Sequence, residues 1–223
     1  MTAKEVELPP YTTKQELWNC LTHALGVVFA LIAGPFLIYK AILTGDPWQI
    51  SSSVIFLTAL IVLYGGSAVY HGAKPSLAKR VFRVLDHDNV FILIMGTYTP
   101  FCLVALRSYS AAWCWSIYGS CLLLGVLGIV LNSCNIKKFA VVSFINYLLM
   151  GWIIIISIYP LIQTMGWMPG VFLLVLGGVL YSVGATLYAL GKTHSAWWHT
   201  VFHVFVLAGT ISMFFSLFFC VIG

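Results

Sequence analysis

Apolar residues run through this chain in seven long blocks parted by short polar ones. The blocks are roughly Leu21–Leu43, Val54–His71, Val84–Leu106, Trp113–Leu131, Phe139–Pro160, Met168–Leu190 and Trp198–Ile222. Each is near the length of about 20 residues that a helix needs to cross hydrocarbon. None alternates strictly between apolar and polar positions, as a barrel strand would. Helices then remain as the way to satisfy the backbone in lipid. The pattern predicts an all-α membrane protein. A seven-helix transmembrane bundle occupies residues 16–223, after a short, weakly ordered cytoplasmic tail at 1–15. Thr13-Lys-Gln-Glu16 reads as a capping box opening the first helix. Pro100, inside the third span, predicts a kink. Gly65 and Gly66, and Gly177 and Gly178, predict close helix contacts. No cleavable signal peptide is visible, because the first apolar run is of full membrane length.

Composition agrees. Of 223 residues, 61% are apolar and only 8% charged, against roughly 25% charged in soluble domains. Lysine and arginine set the orientation. With a cytoplasmic N-terminus, nine lie inside (Lys4, Lys14, Lys74, Lys79, Arg80, Arg83, Lys137, Lys138, Lys192) and two outside (Lys40, Arg107). That positive-inside bias places the C-terminus outside. The net charge of +5 is thereby explained without nucleic acid, and a basic inner rim suits anionic lipid headgroups. Most tryptophans fall at the two expected boundaries, with Trp152 mid-span. The six cysteines lack C-x-x-C spacing and read as small buried hydrophobes.

Five polar side chains reach one membrane depth at the cytoplasmic end. Ser67 and His71 share a face near the inner end of the second span. Asp86 lies just inside the third. His199 and His203 sit one turn apart at the start of the seventh. At about 1.5 Å rise per residue, all fall within roughly the inner ten ångström of the membrane. An H-x-x-x-H pair on a helix can offer two imidazoles to one zinc ion, and a third from another helix leaves one position open for water. Zinc lowers the pKa of such a water to about 7. Asp86 would hold or deprotonate it, and Ser67 would orient it or donate to a developing oxyanion. The plain alternatives are a histidine bonded to a backbone carbonyl, and Asp86 serving the helix dipole or Arg83. Glu16, Asn19 and His23 share one face of the first helix. They can orient the metal ligands, with Glu16 as a mere cap the alternative. His87, Asp88 and His194 read as rim residues, His87 pointing away from Asp86.

Several of these residues fall in segments that resemble the hemolysin III family, within the superfamily of progestin and adipoQ receptors that includes the adiponectin receptors. The segments are Glu16-x-x-Asn19-x-x-x-His23, Ser67-Ala-Val-Tyr-His71, Leu85-Asp86-His87-Asp88-Asn89, Gly96-Thr97-Tyr98-Thr99-Pro100-Phe101 and His199-Thr-Val-Phe-His203-Val-Phe-Val-Leu-Ala-Gly209. The resemblance implies a seven-helix fold with zinc near the cytoplasmic face, His71, His199 and His203 as its ligands, and Ser67 and Asp86 reaching a bound water. It also implies metal-dependent, ceramidase-like amide hydrolysis and a part in membrane-lipid homeostasis. Met213 departs from the pattern, since relatives often carry histidine there.

Three functions follow as expectations. The first is a zinc-dependent hydrolase of a lipid amide or ester, whose acyl chain enters between helices. The second is a receptor or regulator of membrane composition with structural zinc, although no protein-binding module is visible. The third is a pore-forming cytolysin. A pore needs polar groups through the outer half too, and there the sequence has little beyond Lys40, Asp46 and Arg107, all expected in loops.

Overall fold

The structure, a computed structural model, describes residues 2–191 and 193–223. Lys192, counted above among the inner cations, lies outside the described residues. Among those described there is no strand, and six helical segments are long and apolar enough to cross a membrane. Helix α1 spans Thr13–Thr44 and α2 spans Pro47–Gly72. Their junction is compact: Gly45 takes a left-handed φ of 68° to end α1, and Asp46 accepts from Trp48 N–H at 2.9 Å to start α2. The box that opens α1 is one residue earlier than expected. Thr12 Oγ1 accepts from Gln15 N–H at 3.3 Å, and Thr12 N–H donates to Gln15 Oε1 at 2.9 Å. Gln15 therefore does the capping, and Glu16 is left to face the bundle.

Helix α3 covers Leu77–Pro100. Beyond Pro100 the chain stays helical through a π turn at Phe101–Leu106 and a last turn at Arg107–Tyr109. A wide turn thus absorbs the defect that the proline introduces. Helix α4 is Ala111–Cys134 and α5 is Ala140–Trp152. The chain then narrows to a 3₁₀ stretch, Ile153–Ser157, and resumes as a short helix, Ile158–Met165. Tyr98 patches that irregularity: its hydroxyl accepts from Ile154 N–H at 3.1 Å and donates to Met150 C=O. In a buried, apolar setting those backbone groups have no water to turn to.

The fifth long segment, Ala140–Gly191, has 52 residues, but it is not straight. Gly166 adopts φ 70° and Met168 an extended φ of −113° with ψ 129°. Helix α6, Phe172–Gly191, then runs back alongside α5. Trp152 Nε1–H donates to Ser182 Oγ at 2.9 Å, whereas thirty residues of unbroken helix would part them by about 45 Å. Helix α7 is Trp197–Cys220. Gly66 and Gly177 permit close contact, since an added Cβ would lie 2.3 Å from Asn89 Nδ2 and 2.6 Å from Met213 Cγ. Gly65 faces open space and Gly178 meets Trp152 only at ordinary distance, so those two contacts are not tight.

Cations divide between the two ends of the bundle. Lys40, in the last turns of α1 rather than a loop, donates to Phe218 C=O at 2.6 Å. Arg107 lies 3.9 Å from Asp46 and stacks on Trp48. At the opposite end the tail is ordered, contrary to expectation. Ala3–Glu5 forms a 3₁₀ turn, Val6 is buried, and Arg80 and Arg83 donate to the carbonyls of Val6 and Glu7. Lys137 adds an ion pair to Glu7 at 2.9 Å and holds that carboxyl below its ordinary value. Backbone carbonyls caught by two arginines leave no pattern in a sequence. Asp88 is likewise not on the rim: it is 5% exposed and accepts from Asn132 Nδ2 and Ser133 Oγ, each at 2.7 Å, which ties α3 to α4.

Tyr98→Phe is expected to lower thermal stability in detergent by about 1–3 kcal/mol, the cost of stranding a buried backbone group, with metal content unchanged. An unaltered melting midpoint would refute this reading of Tyr98.

Candidate metal centre

Two helices deliver three imidazoles to one point. α2 carries His71, and α7 carries His199 with His203 one turn further along. One ring nitrogen from each lies within 4.8 Å of the others, and all three residues are buried. This three-histidine group can hold a metal ion.

The partners of each ring fix which nitrogen is free. His71 Nδ1 lies 2.7 Å from Glu16 Oε2. An ionised carboxylate only accepts, so the proton sits on Nδ1 and the Nε2 lone pair points inward. His203 Nδ1 lies 3.2 Å from the carbonyl oxygen of Asn19. A carbonyl also only accepts, which again leaves Nε2 free. Thr22 Oγ1 is 3.2 Å from the same Nδ1, and Thr200 Oγ1–H donates to Asn19 Oδ1. His71 Nε2 faces His199 Nε2 at 3.2 Å, and His199 Nδ1 has no partner. Either two lone pairs oppose each other, or His199 uses its one proton on His71 and strands its own buried Nδ1. A cation between the rings removes the first conflict. Two nitrogens on one tetrahedral ion at about 2.0–2.1 Å stand roughly 3.3 Å apart, so the spacing fits.

The other expected residues divide. Ser67 Oγ is fully buried one turn along α2 from His71 and has no hydrogen-bond partner. Asp86 is buried, but the three-imidazole group does not extend to it. His87 Nδ1 lies 3.9 Å from its carboxylate, so His87 does not point away. Arg83 is turned to Glu7 instead. Glu16 and Asn19 touch the imidazole set directly. His23 does not hydrogen-bond to it: its ring stacks on His203 at 3.5 Å, and neither nitrogen has a partner. His194 is exposed. Met213 lies away from the imidazoles and packs against Gly177.

Sequence reading missed several contacts here. Lys79, an inner cation by sequence, is 3% exposed and bonded to Glu16. Tyr11, in the ordered tail, sets its ring 6.0 Å from that of His71 and 5.5 Å from that of His199. Its hydroxyl pairs with Tyr188, and burial pushes the phenol above its ordinary pKa, so it stays neutral. The tail therefore crosses the imidazoles as a strap. Below the strap a cavity of about 580 Å³ opens among α3, α5, α6 and α7. Asp86, His199 and His203 line it at the strap end, and Tyr98, Trp152 and Met213 at the deep end. Its walls are mostly apolar.

A family model described as "Haemolysin-III related" matches residues 11–214. The chain is 39% identical to a "Hemolysin-3 homolog" of Bacillus subtilis, covering 95% of this chain and 97% of that one. It is 32% identical to "Hemolysin-3" of Bacillus cereus, covering 100% and 98%. A more distant relative is the "Adiponectin receptor protein" of Drosophila melanogaster, 27% identical over 86% of this chain and 48% of that protein. No solved structure matches.

The matched region begins at Tyr11, the residue that covers the imidazoles. Tyr11→Ala is expected to make bound metal more accessible, so that a water-soluble chelator strips it severalfold faster than from the wild type. Equal stripping rates in the two proteins would show that the strap does not shield the site.

Proposed function

Because the chain belongs to the haemolysin-III-related family, we propose that it is an integral membrane zinc protein that hydrolyses an amide or ester bond of a membrane lipid. We place it in a bacterial inner membrane, with seven crossings, the N-terminus in the cytoplasm and the C-terminus outside. The fold-back at Gly166 supports seven crossings, and the lysine and arginine asymmetry supports the orientation. His71, His199 and His203 are the zinc ligands. A zinc ion held there supplies Lewis-acid polarisation of a carbonyl and activation of water near neutral pH.

The observation that carries the reading is the junction of two unlike features. Three buried imidazoles, of which His71 and His203 turn a lone pair inward, gather at the head of a largely apolar cavity that His199 and His203 line. An acyl chain occupies the cavity and sets its headgroup bond beside the imidazoles. Asp86, buried at the same end of the cavity, takes and returns the proton. Ser67, whose hydroxyl has no other partner, donates to the oxygen on which charge develops. The strap favours a second reading, in which the zinc is structural and the protein is a receptor or regulator of membrane composition, because structural sites are closed.

His71→Ala, His199→Ala and His203→Ala are each expected to lose most bound zinc by elemental analysis. Full occupancy in any one of them would remove that residue from the ligand set. Asp86→Asn is expected to keep its zinc but lower turnover by about 10²–10⁴-fold, the usual share of a positioned acid–base group. Turnover is to be read on a panel of amide- and ester-linked lipids, with and without chelator. Absence of chelator-sensitive hydrolysis across that panel would favour the structural-zinc reading.

A further inference from the structure

We propose that Lys79 is a positioning residue of the metal centre, acting through Glu16 on His71. The inference rests on the reading of the three imidazoles as zinc ligands. Lys79 stands in the first turn of α3, where its own N–H is capped by Ser76 Oγ at 3.1 Å. A lysine that merely marks the inner boundary would extend its ammonium to water. This one is 3% exposed. Its Nζ donates to Glu16 Oε1 at 2.6 Å and to Ala73 C=O at 2.9 Å, and it lies 5.2 Å from the centre of the Tyr70 ring. Burying an ammonium is costly unless it is paired and hydrogen-bonded, and here every contact serves the surroundings of His71. Tyr70 precedes His71, and Ala73 ends the helix that carries it.

Glu16 has two carboxylate oxygens, and each has one buried partner: Oε1 faces Lys79 and Oε2 faces His71. With the ammonium on Oε1, the carboxylate cannot turn. Oε2 must then accept from His71 Nδ1–H, and His71 Nε2 is held toward His199. Without the ammonium, the Glu16 side chain is free to rotate, because it is 19% exposed and water is within reach. His71 then loses the partner that fixes its tautomer and its ring angle. Partners of this kind change metal affinity by about 10–100-fold.

The test uses full-length protein in detergent, with zinc affinity measured by competition against a chromophoric chelator. The set is wild type, Glu16→Gln, Lys79→Met and the double variant. Lys79→Met is expected to weaken zinc binding about tenfold, at the low end of that range. In the Glu16→Gln background it should cause no further loss, because its route runs through that carboxylate. Wild-type affinity in Lys79→Met, or losses that multiply in the double variant, would overturn the proposal. Should Lys79→Met not fold, Lys79→Arg and Lys79→Gln carry the same test. Arginine keeps the charge and should retain affinity where glutamine does not, and equal affinities would overturn the idea. A wild-type protein that binds no zinc would instead sink the reading of the site on which this one rests.

Discussion

His71 and His199 point ring nitrogens at each other across 3.2 Å inside a membrane bundle, where no water can separate them. Two of the three imidazoles, His71 and His203, arrive with their options already reduced. Glu16 takes the other nitrogen of His71, and a main-chain carbonyl takes that of His203. An imidazole has only one proton to give when neutral. Once that proton is given outward, the inward nitrogens are bare acceptors. A buried acceptor without a donor is costly, and a positive ion is the simplest group that meets such acceptors together.

The rest of the bundle serves that requirement. α1 lies against the imidazoles and presents Glu16, Asn19 and His23 on one face. Capping by Gln15 keeps Glu16 free for this task. The glycines at 66 and 177 let helices approach closely enough to exclude lipid. Toward the loops, Tyr11 closes the site. Toward the membrane centre, the reversal at Gly166 sets α6 back beside α5, with Trp152 and Ser182 joining them at the deep end of the cavity. The three-imidazole group and the apolar cavity are thus built from the same few helices.

Much of this was legible from residue spacing alone. The two-residue face of Ser67 and His71, and the i, i+4 pair His199 and His203, have no local geometry to resolve beyond a helix. Their common depth followed from neighbouring cations. Errors arose where a tertiary contact chose between local options. Adjacent threonines at 12 and 13 offer two capping boxes, and the engagement of Glu16 by His71 and Lys79 fits the earlier one. Lys79 looks like any boundary lysine until Glu16, 63 residues away, is placed beside it. Asp88 looks solvated until Asn132 and Ser133 arrive from α4. The tail looks loose because arginines grip it by its carbonyls, which every residue possesses.

On the proposed reading, three imidazole nitrogens hold one zinc ion at the strap end of the cavity. X-ray absorption at the zinc edge, on protein purified without added metal, addresses it most directly. The expected result is one zinc per chain, with three imidazole nitrogens and one oxygen at about 2.0–2.1 Å. A spectrum with sulfur ligands, or with fewer than three imidazoles around the metal, would contradict it.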